Sequence, residues 1–342
     1  MRAARPRTSA SRPGRRMLLN ASDPDAIARA AELLAAGELV GMPTETVYGL
    51  AARADDDAAV AKIFAAKGRP ADHPLIVHVT GADQVSRFAA EVPPVARRLM
   101  DAFWPGPMTL ILPRAENAAN AAAAGQNSIG LRCPSHPVAQ ALLAAAAKLG
   151  VAGVAAPSAN RFGRVSPTRA AHVVQEFGNE LLVLDGGECD VGIESSIVDC
   201  TRGHPVLLRP GVLSRASIEA AAGEALRDAD ANAPRAPGTL TAHYAPNAKL
   251  RLMPQQMLTA ALQMLGKPPL KLAVYSRSVP LGAPDGVRHR RMPLRADQAA
   301  HELFSVLREL DAEGAQLIWV EEPPADPEWD GVRDRLLRAA AS

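Results

Sequence analysis

Apolar runs of strand length alternate with amphipathic runs of helix length along most of the chain. The first helix is predicted over 23–37, because Asp23 is a favoured N-cap, Pro24 suits the first helical position and Gly37 suits the end. The same spacing of apolar positions predicts further helices at 58–66, 94–103, 136–149, 167–177, 255–265, 296–310 and 328–340. Short apolar runs predict strands at 39–42, 74–79, 108–112, 128–132, 151–156, 181–184, 196–199, 206–208, 270–275 and 316–320.

The order of these elements predicts an α/β fold with two domains. Several strands of residues 17–212 follow one another without a helix, which is typical of a twisted open sheet that mixes parallel and antiparallel strands. Residues 213–247, of which 223–247 are rich in Ala, Pro, Asn, Arg and Gly, are predicted to form a linker. The alternating pattern then resumes, so residues 248–342 are predicted to form a second, smaller α/β domain.

Composition narrows the class of protein. Of the 342 residues, 48% are hydrophobic and 22% are charged, and the net charge of +2 carries no general polyanion-binding signature. No apolar run approaches the ~18 residues of a membrane span. The three cysteines form no CxxC pair, which argues against a disulfide framework or a zinc site and favours a reducing cytoplasm.

The first 16 residues differ from the rest of the chain. They contain six arginines and no acidic residue. One interpretation is a targeting peptide, and the other is a disordered leader or an over-extended start with Met17 as the initiator. The lack of an amphipathic helix pattern favours the second interpretation.

Polar side chains recur where the predicted strands end. Thr46 follows the strand at 39–42, and Ser158 and Asn160 follow the strand at 151–156. Ligands of open α/β sheets bind beyond the carboxyl ends of strands, so these side chains predict one ligand-binding edge. Cations suit phosphates and carboxylates, and hydroxyl or amide groups suit phosphate oxygens or a ribose. The candidate cations are Lys67, Arg69, Arg132 and Arg209, and the candidate hydroxyls are Thr46, Ser128, Ser158 and Ser195.

Structural interpretations stand beside these functional ones. The turn at 43–50 can simply brace a strand end, and the cations at 67–69 can face the dipole of a helix C-terminus. His78 lies in an apolar strand, where histidine is more often a core residue than a ligand. Ser166 either caps the helix predicted from 167 or marks an anion site at its N-terminus. The chain has no GxxxxGKS/T, GxGxxG, HExxH or GxSxG motif, so catalysis would depend on positioning and charge stabilisation.

Eight short motifs together point to a family. The chain resembles the threonylcarbamoyl-AMP synthases in their long form, which joins a YrdC-like catalytic domain (here 17–212) through a linker to a small C-terminal α/β domain. The motifs occur in the family's order, and that order makes the set specific although each motif alone is weak. They are 43–50 (PTETVYGL), 67–70 (KGRP), 74–78 (PLIVH), 130–137 (GLRCPSHP), 156–160 (APSAN), 194–199 (ESSIVD), 208–211 (LRPG) and 243–246 (HYAP).

The resemblance implies a nucleotidyltransferase. Such an enzyme converts L-threonine, bicarbonate or CO2, and ATP into L-threonylcarbamoyladenylate and pyrophosphate. The product feeds N6-threonylcarbamoyladenosine formation at position 37 of tRNA through downstream threonylcarbamoyl transferase proteins, and a contact with tRNA stays open. Mg2+ is expected to be carried by the ATP phosphates rather than by a metal site of the protein.

The resemblance also assigns roles to residues. Lys67 and Arg69 would serve catalysis as phosphate-binding cations. Glu45 and Tyr48 receive no ligand role, and His73 stands where relatives often have asparagine. L-threonine would be held by Thr46, His78, Arg132, the backbone at Ala156, and Ser195. ATP would be held by Arg69, His73, Ser128, Ser158, Asn160, Ser166, Arg209 and the linker residue Tyr244, which would close over the nucleotide as a lid.

Two other functions remain to be distinguished from the synthase. YrdC-like domains also make carbamoyladenylate in hydrogenase maturation, but those proteins carry zinc fingers for which this chain lacks the cysteines. An RNA-binding module of YrdC-like fold would instead bind tRNA in a salt-dependent manner without ATP turnover. Pyrophosphate release that depends on L-threonine separates the synthase from both.

Overall fold

The computed structural model of the chain describes residues 17–266, 270–278 and 286–342. The interpretation of residues 1–16 as a basic leader lies outside the described residues. The described part of the chain forms an 11-stranded sheet and a 4-stranded sheet, each accompanied by helices. The prediction of an α/β fold with a mixed open sheet and a second, smaller α/β domain is confirmed.

The larger sheet mixes strand directions. Its strands are β1 (Leu18–Asn20), β2 (Val40–Met42), β3 (Gly49–Arg53), β4 (Ile76–His78), β5 (Met108–Pro113), β6 (Ser128–Arg132), β7 (Val154–Ala155), β8 (Leu182–Asp185), β9 (Ser196–Asp199), β10 (Val206–Arg209) and β11 (Arg227–Asp228). They lie in the order β1-β8-β2-β3-β7-β4-β6-β5-β9-β10-β11. The pairs β1/β8, β8/β2, β4/β6, β5/β9 and β10/β11 are parallel, and the other neighbours are antiparallel.

Helices pack against both faces of this sheet. They are α1 (Pro24–Ala35), α2 (Asp57–Lys67), α3 (Pro94–Phe103), α4 (Asn120–Ala123), α5 (Pro137–Lys148), α6 (Ala170–Phe177) and α7 (Arg215–Ala222). Alternate residues of β3 enter different cores: Leu50 and Ala52 pack with residues of α2 and α3, whereas Ala51 packs with residues of α1 and α5.

The ends of α2 follow from local sequence chemistry. The carboxylate of Asp56 caps the helix by accepting from the backbone amides of Ala58 and Ala59. At the other end Gly68 adopts a left-handed conformation with φ of 62°, which stops the helix. The predicted cations Lys67 and Arg69 therefore flank the end of α2.

The C-terminal domain is a parallel α/β unit that packs on the first domain. Its strands β12 (Lys249–Met253), β13 (Leu272–Ser276), β14 (Arg288–Arg291) and β15 (Leu317–Glu321) lie in the order β12-β15-β13-β14. Its helices are α8 (Gln255–Met264), α9 (Ala296–Ala312) and α10 (Asp330–Ala340). Val47, Val165 and Ile193 of the first domain share a core with α9 and α10. No helix in the described residues is both long enough and apolar enough to cross a membrane.

Several local predictions are wrong. The sequence analysis missed β1, β3, β11, β12 and β14; β3, for example, is built from Gly and Ala rather than from β-branched residues. The helix predicted from 167 begins at Ala170, because Arg169 is extended, with φ of −137° and ψ of 152°. Ser166 is therefore not its N-cap. The segment predicted as a linker also begins with α7, which Ser214 caps by accepting from the amide of Ser217.

Candidate active site

A small closed pocket lies where the predicted motifs converge. The strand register brings them together, because His78 of β4 pairs with Arg132 of β6, and Arg132 pairs with Thr109 of β5. The pocket has a volume of about 50 Å3. Of the residues predicted to bind ligands, its lining contains Arg69, His78, Arg132, Ala156, Ser158, Ser195, Arg209 and Tyr244.

Arg132 organises the wall built by the 43–50 turn. Its Nη2 donates to Oε1 of Glu45 at 2.6 Å, and its Nη1 donates to Oγ1 of Thr46 at 2.8 Å. The other carboxylate oxygen of Glu45 accepts from the amide of Ser135 at 3.2 Å. Both members of the ion pair are almost fully buried, with side-chain exposures of 5% and 6%. Glu45, which the motifs left without a role, therefore fixes the orientation of Arg132.

The turn itself is held by its own side chains. Oγ1 of Thr44 accepts from the amides of Thr46 and Val47 and lies 2.9 Å from Oγ1 of Thr46. The hydroxyl of Tyr48 donates to the carbonyl of Gly187 at 2.7 Å, and burial raises the pKa of that phenol. Tyr48 therefore braces the turn and stays neutral.

Ser195 is held between two walls of the pocket. Its Oγ lies 2.8 Å from Oγ1 of Thr109 and accepts from Nη2 of Arg209 at 3.2 Å. Nε of Arg209 donates to the carbonyl of Ser195 at 3.0 Å. These bonds fix the Arg209 guanidinium, whose pKa is lowered by burial.

His78 is a neutral residue of the pocket wall. Only 3% of it is exposed, and Nδ1 has no hydrogen-bond partner within the described residues. Burial, and then the charge of Arg132, lower its pKa to about 3. It can therefore offer a hydrogen bond to a ligand at neutral pH without adding charge.

Lys67 and Arg69 lie at different distances from the pocket. Nζ of Lys67 donates to the carbonyls of Ser158 and Asn160, and burial, together with Arg69, lowers its pKa well below the ordinary lysine value. Lys67 therefore lies behind the pocket wall and holds the 157–160 loop. Arg69 lines the pocket, and its Nη2 donates to the carbonyl of Pro74 at 3.0 Å. Its Nε has no hydrogen-bond partner in the described ranges, and burial lowers the pKa of the guanidinium to about 10.

Besides Lys67, five predicted residues are not part of the pocket lining. Thr46 is fully buried, and its Oγ1 accepts from Nη1 of Arg132. Asn160 is buried behind the lining and donates to the carbonyls of Arg161 and Arg164. Ser166 is fully buried and donates to Oε1 of Glu194. The ring of His73 packs against the ring of Phe162, with the centroids 5.3 Å apart. Ser128 lies at the opposite end of β6 from Arg132.

The linker covers the pocket. Tyr244 is 1% exposed, adopts a left-handed φ of 62° and stacks on Phe304 with ring centroids 5.5 Å apart. His243 is also buried, and its pKa is lowered to about 3 by burial. The carbonyl of Pro237 accepts from Nη1 of Arg209 at 2.9 Å. Nucleotide-sized ligands need roughly 300 Å3 or more, so the linker must move before such a ligand can enter.

The charge of the pocket favours an anionic ligand. Arg69, Arg132 and Arg209 converge on it, and the lining carboxylate, Glu194, is already paired with Arg335 at 2.9 Å. Burial would raise the pKa of Glu194, but Arg335 and Arg209 outweigh burial and lower it. Fixed guanidinium groups in a water-poor cavity stabilise phosphate and carboxylate groups strongly.

The sequence analysis missed part of the site. Glu194 lies within a quoted motif, but nothing in the sequence marks its pairing with Arg335, which is 141 residues away. His243 also lies within a quoted motif next to Tyr244, and its position in the motif was the available signal. Val47, Ile76 and Pro157 also lie within quoted motifs and supply apolar surface of the pocket, but nothing in the sequence was a reason to assign them a role.

Comparisons with known proteins cover nearly the whole chain. The family model described as Telomere recombination (Sua5_yciO_yrdC) matches residues 32–211, and the one described as Threonylcarbamoyl-AMP synthase, C-terminal domain matches residues 213–341. The threonylcarbamoyl-AMP synthase of Pyrococcus abyssi is 37% identical over 326 residues, which cover 91% of this chain and 93% of the relative. That of Bacillus subtilis is 37% identical over 335 residues, 94% of each chain.

Solved structures agree with these relatives. The crystal structure of P. abyssi Sua5 complexed with L-threonine is similar, with a TM-score of 0.83 and 36% identity, and the match covers 93% of this chain and 95% of that one. A P. abyssi Sua5 variant with a histidine and a tyrosine replaced by alanine gives a TM-score of 0.85 at 34% identity, over 94% and 96% of the two chains. The chain belongs to the threonylcarbamoyl-AMP synthase family, as its eight motifs predicted.

Proposed function

We propose that this protein synthesises L-threonylcarbamoyladenylate from L-threonine, bicarbonate or CO2, and ATP, with release of pyrophosphate. The observation that carries this proposal is the convergence of Arg69, Arg132 and Arg209 on one closed pocket whose lining carboxylate is already paired. The reaction must bring a carboxylate, a carbamate and a triphosphate together. A pocket with three fixed guanidinium groups supplies the charge that this combination needs.

Threonine is proposed to bind at the Arg132 end of the pocket. Arg132 already donates to Glu45, Thr46 and the carbonyl of Gly106. A guanidinium has five N–H groups, so two remain for the carboxylate of the amino acid. The hydroxyls of Thr46 and Ser195, the neutral ring of His78 and the backbone at Ala156 would complete this half.

ATP is proposed to bind at the Arg69 and Arg209 end. Nε of Arg69 has no hydrogen-bond partner in the part of the chain that the structure describes, which leaves it able to donate to a phosphate oxygen. Ser158 lines the same pocket, and Lys67 and Asn160 support its loop from behind. Contacts of His73, Ser128 and Ser166 with ATP stay predictions, and they require a nucleotide that reaches beyond the lining described above.

The proposed reaction has two steps, and the arginines of the pocket can stabilise the second. The threonine amine adds to CO2, or to bicarbonate with loss of water, and the resulting N-carboxylate is the nucleophile. A carbamate oxygen forms a bond to the α-phosphorus of ATP, the bond from that phosphorus to the bridging oxygen breaks, and pyrophosphate leaves with its electron pair. Arg69 and Arg209 are proposed to stabilise the charge that develops on the phosphate oxygens, with Lys67 acting through the loop that it holds.

Mg2+ is proposed to enter with ATP. Within the described ranges, no group of three or more His, Cys, Asp or Glu side chains could hold a metal ion. Glu194 accepts from both Ser166 and Arg335, so its carboxylate is already engaged. The protein's donors therefore fit an ion bound through the phosphate oxygens. Such an ion would neutralise part of the triphosphate charge.

A pyrophosphate-release assay tests the proposed function. Pyrophosphate should appear from ATP and bicarbonate only when L-threonine is also present. Release without threonine would support carbamoyladenylate synthesis or simple ATP hydrolysis instead. Salt-dependent tRNA binding with no release at all would support the RNA-binding module, although family membership favours the synthase.

The linker is proposed to act as a lid over the nucleotide. Tyr244 supplies the ring that closes the pocket, and its hydroxyl has no hydrogen-bond partner among residues 17–266, 270–278 and 286–342. Tyr244→Phe should therefore keep most of the activity, whereas Tyr244→Ala should raise the KM for ATP. Equal kinetics for the two variants would show that the ring does not cover the nucleotide.

Downstream steps are proposed from the family. The adenylate product would be passed to threonylcarbamoyl transferase proteins that modify tRNA, and direct contact with tRNA stays a hypothesis. Cytoplasmic location is proposed because Cys133, Cys189 and Cys200 are all free and buried, as is typical of a reducing compartment.

A further inference from the structure

A buried arginine of the C-terminal domain touches the pocket wall at several points. Arg335 lies on α10, and its side chain is 0% exposed. Its Nε donates to Oε2 of Glu194 at 2.9 Å, and its Nη2 donates to the backbone carbonyl of Glu194 at 3.0 Å. Its Nη1 donates to the carbonyl of Pro210 at 2.7 Å. The guanidinium carbon lies 5.4 Å from the centroid of the Tyr244 ring.

Each of these contacts adjoins a residue proposed to bind a ligand. Glu194 precedes Ser195 in the chain, and Pro210 follows Arg209. Tyr244 closes the pocket from the linker. One side chain of the second domain therefore holds the pocket wall just before β9 and just after β10, and it supports the ring of the lid.

The contact with Glu194 also controls the charge of the pocket. Glu194 is 7% exposed and lines the cavity. Without Arg335, its carboxylate would face the pocket, and among the described residues only the Ser166 hydroxyl would remain as its side-chain hydrogen-bond partner. A buried carboxylate that has lost its cation is strongly unfavourable and would repel the phosphates of a bound nucleotide.

We propose that Arg335 is a positioning residue for adenylate synthesis, which neutralises Glu194 and supports the closed position of Tyr244 from the C-terminal domain. The inference rests on the proposed function, because it takes ATP as the ligand of the pocket. It gives the second domain a part in the reaction: the pocket is completed by a residue of α10. The eight motifs of the first domain and linker do not include this residue.

Arg277 offers a matched control. Its Nη2 donates to Oε1 of Glu321 at 2.8 Å, Glu321 is 1% exposed, and its guanidinium carbon lies 5.5 Å from the centroid of the Trp329 ring. It thus makes the same kinds of contact as Arg335, but inside the C-terminal domain. Arg277→Met should destabilise that domain while leaving the ATP site intact.

The test compares Arg335→Met with Arg277→Met. Arg335→Met should raise both the KM for ATP and the dissociation constant for ATP, measured by calorimetry, by about tenfold or more. Its kcat should change less, because the unpaired carboxylate of Glu194 would weaken ATP binding in the ground state and in the transition state alike. Arg277→Met should lower the melting temperature but leave both ATP constants within about twofold of the unmodified protein.

Charge rescue distinguishes positioning from packing. Adding Glu194→Gln to Arg335→Met removes the unpaired carboxylate and should return most of the lost ATP affinity. The inference is overturned if Arg335→Met and Arg277→Met give the same ATP constants, or if Glu194→Gln rescues nothing. If Arg335→Met does not fold, Arg335→Lys replaces it; that variant should bind ATP more weakly than Arg277→Lys, and equal affinities would overturn the inference.

The same experiment separates this inference from the proposed function. If the unmodified protein releases no threonine-dependent pyrophosphate, the proposed function fails, and calorimetry still decides whether Arg335 controls ATP affinity. If the unmodified protein is active but Arg335→Met matches its control, only the role of Arg335 is wrong.

Discussion

Replacement of Gly238 by alanine is a direct perturbation of linker closure. Gly238 has a φ of +71°, and a Cβ placed on it would lie 2.1 Å from Oη of Tyr244 and 2.9 Å from Nη1 of Arg209. Real Cβ contacts below 3.0 Å essentially never occur, so the phenol must move by about 0.9 Å or more. Tyr244 is buried against Phe304, which leaves its ring little room to move without leaving the pocket.

The cost of this substitution has two parts. A left-handed conformation costs an L-residue roughly 1–2 kcal/mol, and overpacking typically costs a further 1–3 kcal/mol. Only the second part bears on the lid, because it arises from the contact with Tyr244. About 1.4 kcal/mol is a factor of ten in an equilibrium constant. Gly238→Ala should therefore shift the equilibrium of the linker toward its open position and raise the KM for ATP by about tenfold.

Gly223 provides the control for backbone strain. Its φ is +73°, but the nearest atom to an added Cβ, Nε of Arg98, is 3.7 Å away. Gly223→Ala should therefore lower stability in chemical denaturation without changing the KM for ATP. Steady-state pyrophosphate release at varied ATP measures both variants, and equal KM values for Gly238→Ala and Gly223→Ala would refute lid closure by Tyr244.

Two further predictions concern the threonine half of the site. Arg132→Met leaves the buried Glu45 carboxylate without its cation, so it should destabilise the fold by about 3–5 kcal/mol and abolish threonine-dependent turnover. Adding Glu45→Gln should restore stability in urea denaturation but should not restore turnover. Restored turnover would contradict the role of Arg132. The pKa of His78 is about 3 in the folded chain, against an ordinary value of about 6.5. As the pH drops below about 6.5, His78 therefore binds a proton in the unfolded chain but not in the folded one, and the free energy of unfolding falls. His78→Gln should remove about 2 kcal/mol of the stability loss between pH 7 and pH 5, and an unchanged pH dependence would count against a neutral buried histidine.

The sequence predicted which side chains lie together better than it predicted every element. Arg132 ends β6 and Ser195 precedes β9, and both lie at the same edge of the sheet because β5 pairs with both strands. Thr46 reaches this edge from the turn between β2 and β3 and bonds to Arg132. The strand β3 was missed because its sequence, GLAAR, lacks the β-branched residues that mark strands. Its position is decided by tertiary pairing with β2 and β7 instead.

Long-range partners were beyond the reach of sequence patterns. Arg335 lies on a helix rich in charged residues, where arginine is usually solvated, yet it is fully buried against Glu194. Ser166 looked like a helix cap because it precedes a proline, but its hydroxyl donates to Glu194 and the helix starts later. The first outcome depends on how the two domains dock, and the second depends on a contact between residues 28 positions apart in the first domain; short motifs encode neither.

The proposed reaction joins threonine, inorganic carbon and the adenylate of ATP in one product. Mass spectrometry of a reaction that contains L-threonine, ATP and 13C-labelled bicarbonate detects this product. We expect a threonylcarbamoyladenylate that carries the label and forms in step with pyrophosphate. Release of pyrophosphate or AMP without a labelled, threonine-containing adenylate would show that the proposed reaction does not occur.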